Sequence, residues 1–250
     1  MISIRLRIIR EQNRLYTLLL RLLGYFQPTG SKVYIFHDLL DDVSLVKSPF
    51  TISKSSFESF LSDQLAKGKH ANTFEELTQI ILKGYTRPNS FIITFDDANE
   101  SVYTKAYPFL KAHKVSFIVF ITIELIDMPG YLNREQLIAL AADQLCTIGS
   151  HACHHVMFRY LKSEEALKEW KDSKTKLEEL INKPVRCFAF PYGRLVECSV
   201  QNIKDLKKSD YDFAFSAIAG NLNQKWVSGI YYLPRINVSE TVAEKVINLK

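Results

Sequence analysis

The chain has 250 residues, of which 47% are hydrophobic and 24% are charged, and this composition is typical of an ordinary globular protein with a sizeable core. Its four cysteines form no CxxC pair, which argues against a disulfide framework and for small buried residues in a reducing compartment. The formal net charge is +5. Residues 1–25 supply +4 of it, from five arginines and one glutamate, so the rest of the chain carries 5 − 4 = +1. This near-neutral remainder gives no indication of a basic groove for nucleic acid.

Residues 1–28 are apolar and rich in arginine, and they predict a basic N-terminal helix. The longest apolar run, residues 15–20, ends at Arg21 and is too short to span a membrane. No small-residue cleavage site follows it, so it does not have the pattern of a signal peptide. The helix either lies on an anionic membrane surface through residues 1–25 or packs against the domain. We therefore expect a cytoplasmic protein, with peripheral contact at the inner membrane face as one alternative.

Strand-like and helical patterns alternate along the remaining chain. Strands are predicted at 32–37, 90–95, 116–121, 145–150, 186–191, 212–217 and 231–238. Helices are predicted at 53–66, 73–82, 99–112, 133–143, 162–183 and 199–208, and a last one begins at Ser239. Alternation with continuously apolar strands predicts an α/β fold with a parallel sheet. Six or seven such units fit a barrel smaller than the usual eight-fold one, and a doubly wound open sheet is the competing architecture.

Side chains that can bind metal or take part in catalysis lie at or near the ends of five of these strands. They are His37, Asp96 with Asp97, His151 with His155, Tyr192, and Arg235 within the last strand. In parallel α/β folds the chemistry is expected at the carboxyl edge of the sheet. These residues are therefore expected to form one site.

The aspartates and histidines of this group are suited to a catalytic metal. One carboxylate with two imidazoles is a common ligand set for Zn²⁺. His151 and His155 reach one ion if the turn between them is helical, and His151 with His154 could also do so. Adjacent Asp96 and Asp97 point in alternate directions on an extended strand, so one would bind the metal and the other would act as general base. An alternative role for either carboxylate is to cap the helix that follows.

Three motifs, in order over residues 91–193, resemble those of the polysaccharide deacetylases of the NodB-homology class, which is carbohydrate esterase family four. The motifs are "TFDDA", "SHACHH" and "FAFPYG". "YIFH" and "LPRINV" further resemble the branch of biofilm-polysaccharide N-deacetylases, so the resemblance spans about residues 33–238. It implies a distorted seven-stranded (β/α) barrel, with residues 29–250 as the catalytic domain.

The resemblance also implies an activity and a role for each matching residue. The protein would be a metal-dependent hydrolase of a non-peptide carbon–nitrogen bond. It would remove the acetyl group of an amino sugar in a polysaccharide or a saccharide precursor. Asp97, His151 and His155 would hold a divalent metal, usually zinc. Asp96 would be the general base, and the backbone N–H of Tyr192 would help to hold the oxyanion.

The chain departs from the family pattern at two functional positions. Ala189 stands where the family usually has an arginine, and Arg235 stands where a general-acid histidine is usual. Because arginine does not lose its proton at neutral pH, we expect Arg235 to contact Asp96 or its neighbour and to keep Asp96 ionised. The proton for the leaving amine would come from His37 or return from Asp96. His154 is expected not to bind metal.

These departures leave two other functions open. One is a saccharide-binding barrel of the same fold with impaired catalysis. The other is a deformylase-like amide hydrolase that acts on a substrate that is not a polymer. A carbohydrate remains the expected partner in the leading interpretation, and nucleic acid is not expected.

Overall fold

A computed structural model describes residues 30–46, 48–84, 87–222 and 229–243. The predicted helix at 1–28, with its membrane contact, therefore lies outside the described residues. Within the described part of the chain, no helix is long and apolar enough to cross a membrane.

A parallel sheet forms the centre of the molecule. Its strands are β1 (Lys32–Phe36), β4 (His70–Ala71), β5 (Ser90–Phe95), β6 (Phe117–Ile121), β7 (Cys146–Ser150), β8 (Cys187–Ala189), β9 (Phe213–Phe215) and β10 (Ile236–Asn237). The order of seven of them is β10-β1-β5-β6-β7-β8-β9, and short β4 pairs with the start of β5. Two further strands, β2 (Asp38–Leu40) and β3 (Thr51–Ser53), pair with each other.

Helices follow most of the strands, and most of them cover the outside of the sheet, whereas the helix at Phe74–Lys83 packs against the interior core. They are α1 (Lys54–Ala66), α2 (Phe74–Lys83), α3 (Tyr107–Ala112), α4 (Arg134–Ala142), α5 (Ser163–Ile181), α6 (Leu195–Cys198) and α7 (Val200–Asp205). Helix α5 is the longest of these, and it buries Ala166, Trp170 and Leu177 on one face. Three- to four-residue spacing of apolar side chains is what places them on one side of a helix.

The two ends of the sheet approach each other through the segment 233–237. Leu233 forms a parallel bridge with Phe215 of β9, and three residues later Ile236 pairs with Tyr34 of β1. The sheet therefore curls into a barrel that is closed by a short, irregular segment. The predicted distorted seven-stranded (β/α) barrel is confirmed.

Alternation along the strands divides the apolar residues into two cores. One core lies between the sheet and the helices and includes Phe91, Ile93 and Phe95 of β5. The other lies inside the barrel and includes Ile92 of β5 and Val33 of β1. Side chains of a strand alternate between the two faces. Positions 94 on β5 and 35 on β1, and positions 96 and 37 just beyond the ends of these strands, therefore continue the interior face towards the carboxyl edge.

Several predicted element bounds differ from the structure. The strand predicted at 231–238 is reduced to β10, preceded by a 3-10 turn at Gly229–Tyr231. The helix predicted at 99–112 begins with a π-helical turn at Val102–Ala106, and the one at 199–208 divides into α7 and a 3-10 turn. Strands β2, β3 and β4 were not predicted, because two or three residues are too few to show a period.

Candidate active site

The two adjacent aspartates reach the site because the backbone changes conformation between them. Asp96 continues the alternation of β5, so its side chain is on the interior face of the barrel. Its backbone N–H still donates to the Phe36 carbonyl. Asp97 would point outwards if the strand continued, but its φ is 68° and that of Ala98 is 63°. Aspartate tolerates this left-handed region better than most residues. The turn therefore brings both carboxylates to the same cavity.

Asp97, His151 and His155 converge on one point. The Nε2 atoms of His151 and His155 lie 3.4 and 3.3 Å from Asp97 Oδ1. The three atoms fall within 4.8 Å of one another. The Nδ1 atom of His151 lies 2.8 Å from the Ala189 carbonyl oxygen, so in the neutral ring Nδ1 carries the proton and the lone pair is on Nε2.

The turn that carries the histidines is not the helical turn that the sequence predicted. Residues 151–155 are irregular, and Ala152 has a φ of 72°. Glu124 accepts the backbone N–H of His155, and Glu169 accepts that of His154. The His154 ring also pairs with Glu169, at 2.7 Å, and is exposed. His154 is thus turned away from the cluster, and its expected lack of a metal-binding role stays a prediction.

The chemistry of this donor set fits a divalent cation. Asp97 Oδ1 is buried, and no described group donates a hydrogen bond to it. Burial disfavours the charged form of Asp97. In their protonated forms, the neighbouring rings of His151 and His155 outweigh this effect and hold the pKa of the carboxyl well below its usual range. An ionised carboxylate and two imidazole lone pairs are the ligands that Zn²⁺ and similar ions prefer.

Arg235 makes a two-pronged ion pair with Asp96. Its Nη1 and Nη2 atoms each lie 2.7 Å from one carboxylate oxygen, and Nε donates to the Ser216 carbonyl. The guanidinium is fully buried. Burial raises the pKa of Asp96, but the charge and hydrogen bonds of Arg235, together with the charges of His151 and His37, outweigh it, so the pKa lies below its usual value. Arg235 therefore does reach Asp96 and keeps it ionised.

His37 lies at the end of β1, on the wall of the same cavity. Its ring packs against the Phe50 ring, with 5.0 Å between centroids. Its Nδ1 atom is buried, and no described group is hydrogen-bonded to it. Burial lowers the pKa of His37, so the neutral imidazole predominates at neutral pH. His37 can act as an acid only after it has taken up a proton.

Tyr192 lies in a tight turn after β8. Its φ is 61°, and its ring centroid lies 4.6 Å from that of His155. The next residue, Gly193, has a φ of 67°, and a Cβ there would lie 2.5 Å from the Ala217 nitrogen. The carbonyl of Gly193 accepts from Ala217 N–H and from the Tyr232 hydroxyl. Within the described chain, no group accepts the backbone N–H of Tyr192, which leaves it available to a ligand.

These residues surround a cavity of about 310 Å³. Of the seven predicted site residues, six line it and Arg235 lies behind Asp96. Further lining residues were not predicted as part of the site: Ile35, Pro49, Phe50, Phe190, Arg194, Glu197, Ala217 and Asn237. Asn237 could have been predicted from the alternation of side chains along a strand. It pairs with Ile35, which lies two residues before His37 and therefore on the same face of the sheet. Arg194 lies in a loop and Glu197 in a short helix, so no alternation of strand side chains could have pointed to them.

The fold is that of a NodB-type (β/α) barrel. The sequence profile of the polysaccharide deacetylase family matches residues 83–213, which is just over half of the chain. The chain belongs to the polysaccharide deacetylase family.

Individual relatives agree with this assignment. The chain is 25% identical over 215 residues to the poly-beta-1,6-N-acetyl-D-glucosamine N-deacetylase of Staphylococcus aureus, covering 79% of this chain and 71% of that one. Its fold is similar to IcaB from Ammonifex degensii, with a TM-score of 0.75 and 22% identity over 88% of this chain and 97% of the other. The polysaccharide deacetylase BC0361 from Bacillus cereus gives a TM-score of 0.74 at 20% identity, over 87% and 69% of the two chains.

Proposed function

We propose that the protein is a metal-dependent N-deacetylase that hydrolyses the acetamide of N-acetylglucosamine units in a β-1,6-linked chain. The observation that carries the proposal is the convergence of Asp97, His151 and His155 beside the Asp96–Arg235 pair in one cavity. The similarity to a poly-beta-1,6-N-acetyl-D-glucosamine N-deacetylase supports the choice of sugar.

Asp97, His151 and His155 would hold the cation, and zinc fits this donor set best. Such a cation supplies Lewis acidity, which polarises a carbonyl and eases the deprotonation of water. The protein contributes the fixed position of the three donor atoms. The Ala189 carbonyl orients His151, and Glu124 and Glu169 hold the turn that carries His155.

Asp96 acts as general base towards the attacking water. Each of its oxygens receives one N–H from Arg235, so each retains a lone pair that can accept a proton. As the water adds to the acetamide carbonyl, negative charge develops on the carbonyl oxygen. The free N–H of Tyr192 donates to this oxygen. The nitrogen then takes a proton, from His37 or from Asp96, and the C–N bond breaks to give acetate and the amine.

Hydrolysis of β-1,6-linked N-acetylglucosamine oligomers tests the proposal. The full chain, supplied with a divalent metal, is expected to release acetate and free amine in equal amounts. Asp96→Asn should reduce the rate by roughly 100-fold or more, because general base catalysis contributes about that much. Saccharide binding without acetate release would favour the non-catalytic barrel. Release only from small non-sugar amides would favour the deformylase-like alternative.

A further inference from the structure

Glu197 is a carboxylate on the cavity wall that the chemistry above does not use. It lies in helix α6 and lines the cavity together with Tyr192 and Arg194. Only 6% of the residue is exposed. Its Oε2 atom accepts the backbone N–H of Arg194 at 3.2 Å, which fixes the start of the helix. The side chain is therefore held in place rather than free to move into solvent.

No described cation forms an ion pair with Glu197. Arg194 and Arg159 influence it only from a longer distance, and burial raises the pKa of Glu197 above its ordinary value. The two other carboxylates of the cavity are accounted for, since Asp96 is paired with Arg235 and Asp97 faces the histidines. A buried carboxylate without a counter-charge is costly, and a cationic ligand would remove that cost.

The proposed reaction itself produces the matching cation. Each deacetylated unit carries an amine that can take up a proton, and the resulting ammonium group has three N–H donors and a positive charge. A partly deacetylated chain thus presents ammonium groups next to intact acetamides. No other substituent of an amino sugar has both a positive charge and N–H donors to pair with the Glu197 carboxylate.

Resting on the proposed deacetylase function, we propose that Glu197 binds the ammonium group of a glucosamine unit adjacent to the acetylated unit that is cleaved. The protein would then prefer chains that already contain glucosamine. Deacetylated units would be formed beside one another, because each product amine improves the binding of its neighbour.

Three β-1,6-linked trimers test this preference: one fully acetylated, and two with a single glucosamine at one end or the other. The wild type should show a kcat/KM roughly 10–100-fold higher on one of the glucosamine-containing trimers than on the acetylated trimer, as expected for a hydrogen bond between charged groups. In Glu197→Gln this ratio should fall to near one. Glutamine keeps an oxygen for the Arg194 N–H but removes the charge. Glu164→Gln, on the exposed side of α5, is the matched control and should keep the wild-type ratio.

A wild-type ratio near one for both mixed trimers overturns the proposal, whether or not the variant folds. An unchanged ratio in Glu197→Gln also overturns it. The fully deacetylated trimer could instead act as a competitive inhibitor that binds more weakly to Glu197→Gln, while the wild type shows no preference among the three substrates. That result would mean that Glu197 holds the product amine and not the amine of a neighbouring unit. Turnover of the acetylated trimer separates the two proposals. If the wild type cleaves none of the trimers, the deacetylase function itself fails.

Discussion

Asp96 and Asp97 are neighbours in the chain, but their side chains have different partners. Asp96 is paired with a buried arginine, whereas Asp97 faces two imidazoles. The left-handed backbone at Asp97 makes this division possible, because two consecutive residues of a strand would point to opposite faces. One carboxylate is thereby suited to accept a proton and the other to bind a cation.

The Asp96–Arg235 pair should control turnover more than metal affinity. Arg235→Ala would leave a buried carboxylate without its counter-charge, at a cost of about 3–5 kcal/mol in unfolding free energy. We expect a large fall in kcat and a much smaller change in metal affinity, measured by calorimetry. Arg235→Lys keeps the charge but loses the two-pronged contact, so its kcat should be intermediate. Wild-type turnover in Arg235→Ala would contradict the role given to Arg235.

The two neighbouring histidines provide a matched test of the metal site. His155→Ala removes a donor atom and should weaken zinc binding by more than the roughly 10–100-fold seen for loss of a residue that only orients a ligand. His154→Ala removes an exposed ring that pairs with Glu169, and its zinc affinity should stay near that of the wild type. Equal zinc affinities for the two variants would show that the Asp97–His151–His155 cluster is not the binding site.

The strands place the site because their interior faces end at the same edge of the barrel. Phe120 of β6 lies opposite Gly149 of β7, and its ring packs 5.2 Å from the Arg235 guanidinium carbon. A Cβ at position 149 would come within 2.5 Å of that ring and 3.0 Å of Cys187 Sγ. The glycine therefore makes room for the aromatic ring that supports the arginine.

Gly149→Ala should disturb both the strand packing and the site. Overpacking of a core typically costs about 1–3 kcal/mol, and we expect a loss of that size in urea unfolding, with a reduced kcat because Phe120 is pushed towards Arg235. The double variant Gly149→Ala with Phe120→Leu should recover part of the stability, since the smaller side chain leaves space. If the double variant is less stable than the sum of the two single changes, the clash is not the cause.

Elements with several apolar turns or a long apolar run were predictable from the sequence, and irregular ones were not. Strands β5, β6 and β7 lie where their runs predict, and so do the motif residues at their ends. The turn at residues 151–155 was expected to be helical because the spacing of its histidines fits a helix. Its real shape depends on Glu124 and Glu169, which are distant in sequence. Glu197 was missed for the same reason, since only the folded loop after β8 brings it to the cavity.

On the scale of the whole molecule, one curled sheet gathers predicted site residues that are up to 235 − 37 = 198 positions apart, from His37 to Arg235. The four cysteines are buried and free, in agreement with their predicted role as packing residues. The proposed contact between the basic segment and a membrane rests on the sequence alone, through the +4 charge of residues 1–25.

Vesicle binding tests the role of this basic segment. Each arginine near an anionic surface contributes about 1 kcal/mol, so the full chain should float with vesicles that contain anionic lipid but not with neutral ones. Replacing the five arginines by serine should abolish flotation at physiological salt. They are Arg5, Arg7, Arg10, Arg14 and Arg21. Equal flotation of the two proteins would exclude a charge-driven contact through residues 1–25.

The most direct test of the account is a metal titration of deacetylase activity. The full chain is stripped with a chelator, and acetate release from a β-1,6-linked N-acetylglucosamine oligomer is then measured as zinc is added back. We predict no release by the stripped protein and full recovery at one equivalent of metal, with no recovery at that ratio in Asp97→Asn. Activity that survives complete removal of metal, or a metal-loaded protein that releases no acetate, would contradict the account.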